Sequence, residues 1–431
     1  MTALDDLARL ARHRGEPVVQ PRMGFARPAR MRAGLARTRA ARALTAGTIT
    51  VDSYTRVGDL AGVREALAAG AELNGFPLVA HGPGVTRAVV AGIGEAGFPV
   101  QVRHGSAMPL PIVATLLAAG LDATEGGPVS YCLPYGRTPL RESVAQWARC
   151  CELLAAHGGH LESFGGCLLG QLCPPGLLVA VSVLEGIFFR RHGLRAISLS
   201  YAQQADTAQD IEAIAALRAL AAEMLPDVDP HIVLYTHMGA YPRSRDGARE
   251  LLRESARLAV WAGAERLIVK TTAEAARIPT VEENVAALET AAVTARRHRG
   301  RPVPVPPQDT GVLAEARALV EAVLDLDGDL GRAFVRAFER GVLDVPYCLH
   351  PDNRNRARAA VDAGGRLRWV SVGAMPIRGI TPTAPASAVD ARSFLRMLSF
   401  VRDAYDRPPP TPDTPAHIRT HPSARDNDPD K

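Results

Sequence analysis

A (β/α)8 TIM-type barrel with a C-terminal extension is the α/β fold that the sequence predicts, and three observations predict it. Short β-rich runs alternate with helical segments from residue 18 to about residue 300. Their number is about eight, the count that closes a parallel barrel. Polar side chains gather just beyond the ends of these runs, where such barrels build their sites. A doubly wound open sheet is the alternative, with its ligand chemistry at one switch point instead of around a ring.

The candidate strands, in order, are Val18–Pro21, Gly47–Asp52, Leu78–His81, Pro99–Arg103, His160–Phe164, Ala196–Tyr201, Ile232–Tyr235 and Arg266–Lys270. Alanine- and leucine-rich segments between them read as helices. One runs from Gln209 to Leu225, with Ile211, Ile214, Leu217 and Leu220 along one stripe. Another opens after Pro279 with Thr280-Val281-Glu282-Glu283, a capping box in which Thr280 and Glu283 satisfy free amide groups. Past the strand ends stand Arg22, Arg56, Arg103, His104, Glu125, Gln203, His237 and Lys270. The proline-rich stretch Arg301–Pro307 closes the barrel region. Three parts are expected: a catalytic barrel over 1–300, a helical and compact extension over 301–405 that completes the subunit, and a disordered tail over 406–431. The extension opens with a helical segment from about Leu313 to Arg340.

Composition bounds the class. A chain of 431 residues, 47% hydrophobic, can bury a large core. No apolar run approaches membrane-spanning length, and Met1-Thr2-Ala3-Leu4-Asp5-Asp6 does not read as a signal peptide, so a cytoplasmic protein is expected. Cys132, Cys150, Cys151, Cys167, Cys173 and Cys348 form no C-x-x-C pair and read as reduced structural thiols. The formal charge of +5 and the arginines at 22, 27, 30, 32, 37, 39 and 42 suggest nucleic acid. No aromatic residues interleave with them to stack on bases, so a solvated helix face is the better account.

Two apparent motifs fail on context. Gly92-Ile93-Gly94-Glu95-Ala96-Gly97 matches G-x-G-x-x-G, but a helical run precedes it and the strand Pro99–Arg103 follows, the reverse of a dinucleotide fingerprint. His157-Gly158-Gly159-His160 spaces two histidines like metal ligands, yet the glycines break the helix that would align them. No metal site is expected from protein side chains.

The lysine usage is more telling. Of 50 basic residues only Lys270 and Lys431 are lysine, and Lys270 ends the apolar run Arg266-Leu267-Ile268-Val269. An ammonium kept at a barrel strand end offers a compact charge that arginine's planar fork does not reproduce. Three strand-end arginines, Arg22, Arg56 and Arg103, suit bidentate contact with carboxylates. Glu125 begins a glycine- and proline-rich segment, Gly126 to Tyr135, that carries Tyr131 and Tyr135; an acid with two phenols suits an ammonium group. The set fits an acidic amino acid such as glutamate.

With these residues in place, the chain resembles the catalytic epsilon subunit of glutamate mutase, also called methylaspartate mutase. The resemblance rests on segments in one order: Gln20-Pro21-Arg22-Met23-Gly24, Asp52-Ser53-Tyr54-Thr55-Arg56, Leu73-Asn74-Gly75-Phe76-Pro77, Gln101-Val102-Arg103-His104-Gly105, and Glu125-Gly126-Gly127 through Tyr135. Phe164-Gly165, Pro174-Pro175, Gln209-Asp210, Ile268-Val269-Lys270-Thr271 with Glu274, Ile278-Pro279-Thr280 and Val345-Pro346 continue it, so that it covers about residues 15 to 377. It implies a (β/α)8 barrel and an isomerase that interconverts L-glutamate and (2S,3S)-3-methylaspartate by radical rearrangement with adenosylcobalamin, a cobalt cofactor. It implies substrate contacts at Arg22, Arg56, Arg103, Glu125, Tyr131 and Tyr135, with Glu125, Arg103 and Tyr135 closest to catalysis. Gly24, Thr50, Pro134, Phe164, Lys270 and Glu274 fall on the cofactor side. No complete D-x-H-x-x-G motif is present: Asp229-Pro230-His231 is followed by Leu234 where the glycine should stand. The resemblance places that motif in a small cobalamin-binding sigma subunit, the expected partner of a homodimer within a heterotetramer.

Departures from the family pattern bear on substrate preference and cofactor fit. Pro128 replaces a glycine, Cys132 an asparagine, and Tyr235-Thr236-His237-Met238 a histidine-glutamine-tryptophan-methionine run. They leave open a non-catalytic or substrate-shifted paralogue, while Lys270 leaves open a Schiff-base enzyme. A role in specialised amino-acid metabolism, instead of glutamate fermentation, is the expected setting.

Overall fold

The computed structural model describes residues 2–94, 97–134, 136–168, 172–305, 308–384 and 390–407. Eight parallel strands form its centre: β1 (Val18–Pro21), β2 (Gly47–Thr50), β3 (Val100–Arg103), β4 (Ala123–Gly126), β5 (His160–Ser163), β6 (Ala196–Ala202), β7 (His231–Tyr235) and β8 (Arg266–Val269). The ladder runs β1-β8-β7-β6-β5-β4-β3-β2, with Gln20 opposite Ile268 and Thr50 opposite Arg103. Between β1 and β2 the seam is held by a Val19–Thr45 bridge and by the Thr50 amide donating to the Met23 carbonyl at 2.8 Å. Helices flank this nearly closed sheet, as a (β/α)8 barrel requires.

One predicted strand is wrong and one is missing from the prediction. Leu78–His81 opens the helix Leu78–Val90, and the strand that completes the barrel is Ala123–Gly126. In β4 the four residues Ala-Thr-Glu-Gly carry no β-branched apolar run, because an inward position is spent on a carboxylate instead of Val or Ile. Leu78–His81 has the apolar character of a strand, but the apolar pattern continues at helical spacing to Val85 and Val89. The other expected runs agree with strands to within two residues. The helices Thr207–Met224 and Val281–His298 also stand where expected, the second with its Thr280–Glu283 capping box complete. The Gly92–Gly97 stretch lies between a helix and β3, as its context demanded, with residues 95 and 96 outside the described ones.

The barrel interior is polar at its centre. Arg266, the first residue of β8, is fully buried. It donates from Nη1 to Gln20 Oε1 at 2.6 Å, from Nε to His231 Nε2 at 2.8 Å, and from Nη2 to Ser198 Oγ at 3.2 Å and to Glu162 Oε2. Gln101 adds a 3.0 Å bond to the same Glu162 oxygen. Nearer the strand starts, Asp5 of the helix Ala3–Arg14 meets His160 Nδ1 at 2.9 Å and ties that helix to the barrel floor. His231 Nε2 accepts from Arg266, so its Nδ1 carries the proton and has no lone pair for a cation.

Residues beyond the barrel share its core. The helix Val312–Leu324 lies against Pro175–Arg191, a helix buried along nearly its whole length, and Leu330–Arg340 packs on Val312–Leu324 and on Leu140–Ala156, with Phe334 6.0 Å from the Phe188 ring. A hairpin of β9 (Arg358–Val361) and β10 (Leu367–Ser371) and the helix Ala391–Asp406 follow. The main apolar cluster runs continuously from Val19 to Ile377. Of the tail expected over 406–431, Asp406 instead ends the helix Ala391–Asp406, and residues 408 onward lie outside the described residues. Among the described residues no helix is long and apolar enough to cross a membrane.

Candidate active site

Glu125 sits at the third position of β4, and the chain turns away from it through Gly126 at φ 132°. A Cβ at Gly126 would fall 2.4 Å from the Trp147 ring, and one at Gly127 only 2.1 Å from the Glu185 carboxylate. Those contacts demand both glycines. Buried Glu185 holds the following turn: it accepts from the Val129 and Ser130 amides at 3.1 and 2.9 Å and from the Ser130 and Ser163 hydroxyls at 3.0 and 2.8 Å. Burial pushes the Glu185 carboxyl up to about 7, against the pull of these donors. From the far side, Asp352 accepts from the Leu140 amide at 2.7 Å, and His350 meets the Thr138 carbonyl at 3.0 Å. The segment carrying Tyr131 is thus held from two sides.

Around Glu125 the carboxylate is densely served. Arg103, the last residue of β3, donates from Nε to Oε2 at 2.7 Å; Tyr131 OH meets Oε1, and Tyr235 OH lies 2.6 Å from Oε2. Burial would raise the Glu125 carboxyl, but the Arg103 charge and these donors outweigh it and hold it below its ordinary value. Burial would likewise lower Arg103, but its surroundings, Glu125 foremost, outweigh burial and hold it above its ordinary value. Arg103 Nη1 is buried and has no partner among the described residues. Phe164 packs behind the site, 5.0 Å from the Tyr131 ring and edge-on to Tyr235 at 5.3 Å.

Arg56 comes from the short helix Ser53–Val57, whose N-terminus Asp52 caps by accepting from the amides of Tyr54 and Thr55. Its Nε donates to the His104 carbonyl at 3.2 Å, which brings it beside Arg103. His104 stacks on Trp147 at 5.7 Å, and burial pushes its imidazole down to about 4, so it is neutral at pH 7. Across the mouth, Arg22 pairs with Glu274 at 2.8 Å, and Lys270 with the same oxygen at 3.3 Å. Lys270 also stands 5.0 Å from the Tyr241 ring centre. Its ammonium is pushed down to about 8 by burial, only partly offset by Glu274. Gly24 and Thr50 are packed so closely that a Cβ on Gly24 would lie 2.3 Å from the Thr50 carbonyl oxygen.

The predicted residues therefore fall into two linked groups. Arg103, Glu125, Tyr131 and Phe164 touch one another, with Arg56 attached through His104; Arg22, Lys270 and Glu274 form the second group. The Arg103 charge acts on both Lys270 and Glu274, so the groups are neighbours. Gly24 and Thr50 form their own close contact, and Pro134 lies half-buried in the turn after Tyr131. Tyr135 lies outside the described residues. Sequence reading passed over Tyr235, Glu162 and Glu185. Tyr235 closes an apolar strand at an inward position two beyond Val233, and that period-two placement was the available signal.

Four cations (Arg22, Arg56, Arg103, Lys270) face two carboxylates (Glu125, Glu274) at the strand ends. Such a mouth on a nearly closed parallel barrel is a positively charged site at the strand ends, where enzymes of this fold carry out their chemistry. The profile of the family described as methylaspartate mutase E chain matches residues 3–400, and the chain belongs to that family of isomerases. It is 33% identical over 369 residues to the glutamate mutase epsilon subunit of Halobacterium salinarum, covering 81% of this chain and 77% of that one. The epsilon subunit of Desulfitobacterium hafniense is 33% identical over 76% of this chain and 71% of its own. For Escherichia coli O157:H7 the values are 30%, 76% and 72%.

Proposed function

We propose that this chain is the catalytic subunit of a glutamate mutase, interconverting L-glutamate and (2S,3S)-3-methylaspartate with adenosylcobalamin and a separate small cobalamin-binding subunit. The observation that carries the reading is Arg103: it is buried, spends Nε on an ionised Glu125, and keeps Nη1 without a partner among the described residues. A buried guanidinium nitrogen left open costs stability unless a ligand fills it, and a carboxylate is the natural partner. Arg22 and Arg56 supply further guanidinium groups for a dicarboxylate, and Glu125 accepts from its ammonium. Tyr131 fixes the other Glu125 oxygen.

The residues also fit the cofactor. Buried Thr50 Oγ1, His237 Nε2 and Tyr241 OH lack partners among the described residues, and each belongs to a segment at the mouth near Gly24 or Lys270. Polar groups left open in this way suit a sugar and base. Lys270, Glu274, Gly24, Thr50, Pro134 and Phe164 would hold the adenosyl side. When bound, the cofactor supplies the radical that starts the rearrangement. The protein's share is to grip both carboxylates, orient the ammonium and keep water from the walls of Phe164, Tyr131 and Tyr235. The small subunit would cover the mouth in a cytoplasmic heterotetramer built on a homodimer of this chain.

The test combines the chain with a small D-x-H-x-x-G subunit, adenosylcobalamin and L-glutamate, and follows methylaspartate by its deamination to mesaconate. Product that depends on all components is expected; its absence would end the reading. A second expectation concerns pH. Lys270 is cationic below about 8 and neutral above, so activity that needs the ammonium should be full below that pH and fall as pH rises through it. Lys270→Arg, charged throughout, should lose this alkaline limb in a pH profile of kcat/KM. The same lysine, depressed by burial, is what a Schiff-base enzyme would use. Borohydride trapping with a carbonyl compound separates the two, since the mutase reading predicts no adduct at Lys270.

A further inference from the structure

Tyr235 stands between two buried carboxylates. Its hydroxyl lies 2.6 Å from Glu125 Oε2 and also within hydrogen-bonding reach of Glu162 Oε1. A phenol has one proton, so it can donate fully to only one of them at a time. Each carboxylate has its own cation: Arg103 holds Glu125 and Arg266 holds Glu162. The Arg103 guanidinium lies 5.0 Å from the centre of the Tyr235 ring, and Phe164 meets that ring edge-on at 86°. One side chain therefore touches both halves of the Arg103–Glu125 pair, the carboxylate with its hydroxyl and the guanidinium with its ring.

We propose that Tyr235 is a positioning residue for ligand binding: its one hydroxyl proton, shared between Glu125 and Glu162, sets the orientation of Glu125 and keeps its carboxylate available to an ammonium, while Arg266 fixes Glu162 from below. The inference rests on the glutamate-mutase reading of the same site and gives a role in it to Tyr235, which the sequence showed only as the first residue of a run departing from the family pattern. The groups facing Glu125 are Arg103 and His104 from β3 and the segment after it, Tyr131 from its own turn, Glu162 and Cys167 from β5 and beyond, and Tyr235 from β7. Of these, Tyr235 is the one that reaches Glu125 and Glu162 together. Without its hydroxyl, two buried carboxylates would face each other with no donor between them, and Glu125 would hold a proton more tightly.

Tyr235→Phe keeps the ring, its contact with Arg103 and its packing on Phe164, and removes only the hydroxyl. In the complex with the cobalamin-binding subunit, the acid limb of kcat/KM should move up by about one pH unit, because Glu125 must lose its proton to accept an ammonium. KM for L-glutamate should rise about tenfold with a smaller change in kcat, the pattern of lost ground-state binding. Replacing Tyr235 by 3-fluorotyrosine, a stronger donor of the same shape, should move the acid limb the other way. An infrared pH titration of the chain alone, with the Glu125 band assigned by Glu125→Gln, needs no turnover. It should show the carboxyl shifted up in Tyr235→Phe and down with fluorotyrosine. An unmoved Glu125 band and acid limb overturn the proposal. Should Tyr235→Phe fail to fold, the fluorotyrosine chain decides, and no shift there overturns it equally. If the wild-type complex makes no methylaspartate, the function falls, while the infrared titration still decides the role of Tyr235.

Discussion

Arg103→Lys should lower methylaspartate formation by roughly 100- to 1000-fold while the chain stays folded, the size of effect seen when a preorganised charged donor is lost from an active site. The reason lies in the geometry of the fork. Arg103 uses Nε for Glu125 at 2.7 Å, and its Nη1 has no partner among the described residues, so one planar group can serve Glu125 and a ligand carboxylate. A lysine ammonium at that point is a single centre on a flexible stem, and it cannot hold Glu125 and a ligand carboxylate at fixed angles together. The loss should fall on both kcat and KM, because Arg103 also sets Glu125. Far-ultraviolet circular dichroism and urea unfolding of the variant should match wild type. Near-normal turnover in Arg103→Lys would remove Arg103 from the carboxylate clamp.

The largest effect on stability is expected at the barrel centre. Arg266→Met leaves Glu162 buried with its cation gone, and breaking such a pair from one side costs about 3–5 kcal/mol. Gln20, His231 and Ser198 would lose a donor in the same step. Urea unfolding should show the midpoint falling clearly. Pairing the change with Glu162→Gln should recover part of the loss, since the penalty comes from the stranded charge and not from a large net gain of the intact pair. An unfolding midpoint equal to wild type in Arg266→Met would mean that water or another cation reaches Glu162.

These two sites show how unevenly function was written along the chain. Arg103 and Glu125 stood out as polar groups in segments of recognisable composition, and Lys270 stood out by rarity. Glu162 did not, because a four-residue strand gives too short a window to tell an inward polar position from an outward one, and Tyr235 reads as the apolar end of its five-residue strand. The same shortness misplaced a strand: Leu78–His81 has strand-like composition and folds as a helix, while β4 has none and completes the barrel. Local preference lost to the closure of the sheet, which fixes how many strands exist and where.

Sequence alone settled seven of the eight strands, the long helix between β6 and β7 and the capping box at Thr280, since each depends on neighbours within a few positions. Tertiary structure alone decided the partnerships: Arg103 with Glu125 across 22 residues, Tyr235 with Glu125 across 110, Arg22 with Glu274 across 252. The register of a closed parallel barrel brings such distant positions to one level. No local pattern encodes a distance between strands that meet only when the ring closes.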